Sequence, residues 1–101
     1  MALLDNPSSS LLDGRKVVSS AGTAVALASA TSVNEVAITA LDSNSGTIVV
    51  GASTVKAKAE ERRGQPLVAG QTVSFGIRDL ASVYIDATSS GDGVSFVAGL
   101  A

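Results

Sequence analysis

The chain has 101 residues, nine acidic and seven basic side chains, a formal net charge of −2, and neither cysteine nor histidine. A chain of this length builds one small core, and the missing residue types exclude disulfides, thiolate nucleophiles, zinc–thiolate sites and histidine bases. The slightly acidic balance argues against nucleic acid and membrane surfaces as partners, and no apolar run is long enough to span a bilayer.

The N-terminal segment, residues 1–16, combines serine, proline and glycine with two leucine pairs and shows no sustained hydrophobic period. We predict that it forms an extended arm and that residues 17–101 form the folded domain, with an ordinary frayed terminus as the alternative. Leucine pairs without a partner in so small a domain would be exposed, so we expect them to bind a neighbouring subunit. These partner-binding candidates are Leu3, Leu4, Leu11 and Leu12.

From Val17 onward, apolar residues alternate with polar or small ones at a period of two, which is typical of strands that bury one face. Clusters of Asn, Asp, Gly and Pro separate the runs and favour turns. Strands are predicted near residues 17–19, 24–28, 34–41, 46–51, 54–58, 71–77, 82–87 and 94–98. The pattern predicts an all-β fold, a small antiparallel β-sandwich or barrel of jelly-roll-like form with an extended N-terminal arm.

The charged segment from Val55 to Arg63 admits two interpretations. Acidic and basic residues at three- and four-residue spacing would support a surface turn of helix. The alternation through Lys58 instead favours a strand that ends there and continues into a charged loop, and we adopt this second interpretation.

Catalysis is not expected, because no motif places a nucleophile beside a base and no spacing brings two carboxylates into one cleft. We assign no catalytic, cofactor-binding or metal-binding residue. The acidic turns at residues 42–46 and 86–93 supply too few oxygens for calcium, and Asx turns explain both. After the strand that ends at Ile77, Asp79 is predicted to cap a turn and Leu80 to plug the end of the sandwich.

The ordered series of turns and strands resembles the small all-β virion proteins of tailed bacteriophages. The segments that carry the resemblance lie between Gly22 and Phe96 and are residues 22–27, 36–41, 44–51, 66–71, 79–87 and 91–94. The pattern marks turns and core positions, so it carries over no functional residues.

The resemblance implies a non-enzymatic structural role on the particle, with capsid decoration (cement) proteins as the nearest analogy. We therefore expect a protein of the virion, assembled in the host cytoplasm, that binds the major capsid protein or other virion subunits as a homo-oligomer, with a trimer favoured. The alternative is a tail or fibre-associated module that contacts host surface glycan or neighbouring tail proteins. Sugar platforms favour exposed aromatic rings, and this chain has only three aromatic residues.

Overall fold

Two four-stranded antiparallel sheets stack face to face in the computed structural model, which describes residues 10–101. The strands are β1 (Leu11–Val17), β2 (Val25–Ala26), β3 (Val33–Ala40), β4 (Ile48–Gly51), β5 (Gln65–Leu67), β6 (Thr72–Gly76), β7 (Tyr84–Ala87) and β8 (Gly93–Leu100). Sheet A has the order β1-β8-β3-β6 and sheet B the order β2-β7-β4-β5. This arrangement confirms the predicted all-β antiparallel sandwich.

The core lies between the inner faces of the two sheets, because the alternating apolar residues of each strand point there. Ile38 of β3 and Val94 of β8 face Ile48 and Ile85 of sheet B, and all four are fully buried. Leu80, in a single 3-10 turn (Leu80–Ser82), is also fully buried in this core.

Asp79 begins that 3-10 turn, and its side chain accepts a hydrogen bond from the backbone N–H of Ala81 at 3.0 Å. Ser, Thr, Asp and Asn are favoured at this position because their oxygens satisfy free N–H groups at the start of the turn. The predicted cap at Asp79 and the buried plug at Leu80 are therefore both confirmed.

The second half of the segment predicted as an arm belongs to sheet A. Residues from Leu11 to Val17 form β1, which pairs with β8 along its whole length, from Leu11 opposite Gly99 to Val17 opposite Gly93. Gly14 faces the core at a point where a side chain would collide with the ring of Phe96. The pairing moves the start of the folded domain from residue 17 to about residue 11, and the remaining predicted arm, residues 1–9, lies outside the described residues.

The outer face of sheet B is covered by the chain itself. Val49 on that face is fully buried beneath Val55 and Ala57, which come from the long β4–β5 connection. The carboxylate of Asp86 anchors this cover, because it accepts hydrogen bonds from the backbone N–H groups of Gly22 at 3.0 Å and Ala57 at 2.9 Å. Sheet B therefore presents loops to solvent in place of a bare sheet face.

Two differences from the predicted strands follow from this cover. Residues 54–58 do not form a strand: Val55 and Ala57 alternate with lysines because they bury against sheet B from a loop, and Lys56 makes only an isolated bridge to Arg63. A short 3-10 turn (Ala59–Glu61) follows. Strand β5, with Pro66 at its centre, was not predicted. No helix in residues 10–101 is long and apolar enough to cross a membrane.

Candidate interaction surface

The outer face of sheet A remains open, and the strand registers arrange its side chains in rows across β1, β8 and β3. From β1 to β3, the rows are Leu11, Gly99 and Glu35; then Asp13, Val97 and Ala37; then Arg15, Ser95 and Thr39. We call these nine positions the outer grid. Most of them are small, so the grid is flat and few long side chains would need ordering in a contact.

Two apolar side chains of the outer grid are strongly exposed. Leu11 is 67% exposed and Val97 is 45% exposed, and they lie on adjacent strands in adjacent rows. Exposed apolar residues that cluster on one face are more informative than scattered ones, because contiguous patches mark interaction surfaces.

Two shallow grooves cross the outer grid and meet at Ala37 and Val97. The smaller groove, of about 160 Å³, includes Leu11 and Glu35 in its lining. The larger groove, of about 490 Å³, includes Asp13 and Arg15. Together they give the open face of sheet A a shallow relief into which side chains of a partner can fit.

Glu35 is the unusual member of the outer grid, because it is only 4% exposed although it points away from the core. Gly99 on β8 and Gly76 on β6 lie opposite it on either side. Among the residues that the structure describes, its Oε2 is the only buried side-chain oxygen or nitrogen without a hydrogen-bond partner. A buried carboxylate oxygen without a donor is unfavourable, which makes this position a candidate contact point.

The four predicted partner-binding leucines fall in three different situations. Leu3 and Leu4 lie outside the described residues. Leu11 is exposed on the outer grid. Leu12 points to the opposite side and packs against the core, so its side chain has a partner within the domain and is not free to serve as an anchor.

The acidic turn at residues 42–46 is closed by Asp92 from the β7–β8 turn. The Asp92 carboxylate accepts hydrogen bonds from the backbone N–H groups of Ser45 at 3.0 Å and Gly46 at 2.7 Å. The Asn44 side chain both donates to and accepts from the backbone of Gly93, at 2.9 Å each. These side chains therefore join two turns across the end of the sandwich.

Other polar groups of the described chain serve local structure. Within residues 10–101, no three His, Cys, Asp or Glu side chains come together to hold a metal ion. Hydrogen bonds from the backbone N–H groups of Ala81 and Thr31 lower the pKa of Asp79 from its ordinary value of 3.8. Both bonds favour the charged form of the cap.

The aromatic residues do not form a common platform. Phe96 is buried in the core and Phe75 packs against the core from β6. Tyr84 lies on the other sheet, beside the cluster of Val49, Val55 and Ala57. The three rings are thus distributed over separate parts of the sandwich.

Comparisons with known proteins identify no relative of this chain. No family model matches the chain, and no curated protein or solved structure matches it. Candidate roles for the outer grid therefore depend on its geometry and chemistry.

Proposed function

We propose that this protein is a structural virion protein, a capsid decoration (cement) protein that binds and stabilises a phage head through contacts among many subunits. The observation that carries the proposal is the contrast between the two sheets. Sheet B is covered by its own loops, whereas sheet A leaves a flat face with Leu11 and Val97 exposed. One open, flat face on a small rigid sandwich is suited to packing against another subunit.

The proposed contacts are individually weak. The outer grid has no aromatic side chain, and aromatic residues and arginine supply most of the strong contacts at interfaces. Attachment therefore depends on many copies acting together on a symmetric particle, where each further contact forms at a high effective concentration. The partners are the major capsid protein or other virion subunits, including copies of this chain.

The resemblance to phage virion proteins supports the same role, since it extends over residues 22–96 and implies structure without catalysis. A glycan-binding tail module is less favoured, because Phe96 is buried and Phe75 and Tyr84 lie on different sheets. That distribution leaves no stacked pair of rings for a sugar.

The test is to purify particles assembled by the phage genome that encodes this chain and to measure the copy number of the protein by quantitative mass spectrometry. We expect many copies per head, located by cryo-electron microscopy on the capsid surface. Absence from the particles contradicts the proposal, and density confined to the tail supports the tail alternative.

A variant pair tests whether the open face contributes to attachment. Val97→Arg places a charge at the centre of the outer grid and should reduce the occupancy of the particle. Val68→Arg is the matched control, because Val68 is 53% exposed but lies in the β5–β6 turn outside the grid. Equal occupancy of the two variants would exclude the outer grid from the attachment surface.

A further inference from the structure

We infer that the outer grid of sheet A is a two-fold interface between two copies of this chain, in which Glu35 of each copy pairs with Arg15 of the other. The inference rests on the proposed structural role and names the partner on this face. Its test uses the purified protein alone, so its failure is distinguishable from absence of the protein from particles.

The first observation is that a buried carboxylate oxygen of Glu35 has no hydrogen-bond donor within residues 10–101. Glu35 as a whole is 4% exposed, and its Oε2 has no hydrogen-bond donor among the described residues. Oε2 itself is almost inaccessible, but the Glu35 side chain lines a groove on the outer face, so a rotation of the carboxylate would turn this oxygen towards a donor outside the subunit. A cationic side chain from a partner would supply both the hydrogen bond and the opposite charge.

Among the nine positions of the outer grid, Arg15 is the only cation. It is exposed on β1, lines the second groove, and makes no ion pair with a described residue. Its planar guanidinium carries several donors in a fixed fork that matches a carboxylate. Within one copy, the grid holds Arg15 and Glu35 at opposite corners, so they cannot meet each other there.

The registers place these two residues symmetrically about Val97. Strands about 4.8 Å apart and a rise of about 3.4 Å per residue put the backbones of Glu35 and Arg15 each about 8 Å from Val97, on opposite sides. In a two-fold interface, if one residue contacts a second, the second contacts the first. The two-fold axis therefore lies in the plane of the face, passes through Val97 and is perpendicular to the line from Glu35 to Arg15. Rotation about this axis places Glu35 of each copy opposite Arg15 of the other, so both ion pairs form at once.

The exposed apolar residues fit the same axis. Val97 lies on it, and Leu11, at a third corner of the grid, lies close to it. The two copies of Val97 then meet each other, as do the two copies of Leu11, so both strongly exposed apolar side chains of the grid become covered. The strands of the two sheets cross at a steep angle, close to the orthogonal class of sheet packing.

The extent of the face sets the expected strength of the contact. Four strands by six residues cover about 400 Å² per copy, roughly half of the 800 Å² that each partner contributes to a standard interface. The dimer is therefore expected to be weak in solution and to be reinforced on a particle by further contacts. Of the three charged side chains in the grid, Glu35 and Arg15 complement each other across the axis, which favours a two-fold contact over the trimer expected from the sequence.

The experiment is sedimentation velocity on the full chain from about 10 µM to about 1 mM, the range in which so small an interface associates. We expect reversible dimers of the wild-type protein. Arg15→Glu, at an exposed position, should raise the dissociation constant at least about tenfold, since two carboxylates then face each other. Arg63→Glu makes the same charge change in the loop over sheet B and should leave the constant unchanged.

A second variant restores the complementarity. The double variant Arg15→Glu with Glu35→Lys should recover dimerisation to within about threefold of the wild type, because the two charges exchange places. If Glu35→Lys does not fold by circular dichroism, the isosteric Glu35→Gln replaces it, and Arg15→Glu with Glu35→Gln should dimerise more tightly than Arg15→Glu alone.

Three results would overturn the inference. The first is a wild-type protein that stays monomeric up to about 1 mM. In that case the face is covered by residues 1–9 of the same chain or by a different protein, and not by a second copy. The second is an Arg15→Glu variant that behaves like Arg63→Glu. The third is a folded double variant that dimerises no better than Arg15→Glu.

Discussion

The carboxylate of Asp92 accepts a 2.7 Å hydrogen bond from the backbone N–H of Gly46, a residue 46 positions earlier in the chain. With its second oxygen it accepts another from the N–H of Ser45 at 3.0 Å. One buried side chain thereby holds together two turns at one end of the sandwich, each of which connects one sheet to the other.

Replacing Asp92 with alanine should lower the free energy of unfolding by about 2–3 kcal/mol, because two backbone N–H groups lose a charged acceptor. Urea unfolding followed by circular dichroism measures the change. Asp42→Ala is the control, since Asp42 is an exposed carboxylate in the connected turn, and its loss should change stability by less than about 0.5 kcal/mol. Equal effects of the two substitutions would show that the Asp92 bonds contribute nothing specific.

Gly64 should not tolerate a side chain. Its φ is +120°, and a Cβ atom there would lie 2.6 Å from the backbone oxygen of Val50. Gly64→Ala should therefore lower stability by more than about 3 kcal/mol, whereas Gly91→Ala, at φ +94° in open space, should cost only about 1–2 kcal/mol. Thermal unfolding of both variants separates the collision from the conformational penalty, and similar losses would argue against a close approach at Gly64.

Asp79 should make stability depend on acid pH. Its folded-state pKa is held below the ordinary value of 3.8 by hydrogen bonds from Ala81 and Thr31, so the unfolded chain binds a proton more readily. The contribution is present above pH 3.8 and is lost as pH falls through the folded pKa. Urea unfolding should show that the stability gap between wild type and Asp79→Asn narrows from about pH 6 to about pH 2.5. A gap independent of pH would exclude this linkage.

Truncation of Leu12 should lower the free energy of unfolding much more than truncation of Leu11. Leu12→Ala removes a side chain packed against the core and should cost about 2 kcal/mol, whereas Leu11→Ala removes an exposed side chain and should change stability by less than about 0.5 kcal/mol. Denaturant unfolding at low protein concentration, where self-association is absent, makes the comparison. A larger loss for Leu11 would mean that β1 is paired in the opposite register.

The all-β sandwich was predictable because most strands bury one face and expose the other. In β6 and β8 this produces alternation that can be read directly, as in Val73 and Phe75. Strand β1 was missed because its inward positions include Gly14, which makes room for Phe96, and because an edge strand is only partly buried. The strand predicted at residues 54–58 is wrong for the opposite reason: Val55 alternates with lysines as in a strand, but it packs against sheet B from a loop.

The candidate site was predictable only at Leu11. The sequence places it on an arm, whereas it is exposed because it lies on strand β1 and points away from the core while Leu12 points inward. Glu35 could not be singled out, because its burial depends on the glycines at positions 99 and 76 that flank it across strands. Such neighbours are known only once the register is known.

The pairing of β1 with β8 has a consequence for synthesis of the protein. Strand β8 lies between β1 and β3, and it is the last of the eight described strands. During synthesis, β1 and β3 therefore have no common neighbour until residues 93–100 have been made, so sheet A closes only after the other described strands exist. Contacts of such long sequence separation form slowly, so we expect the pairing of β1 with β8 to be among the last steps that complete the open face.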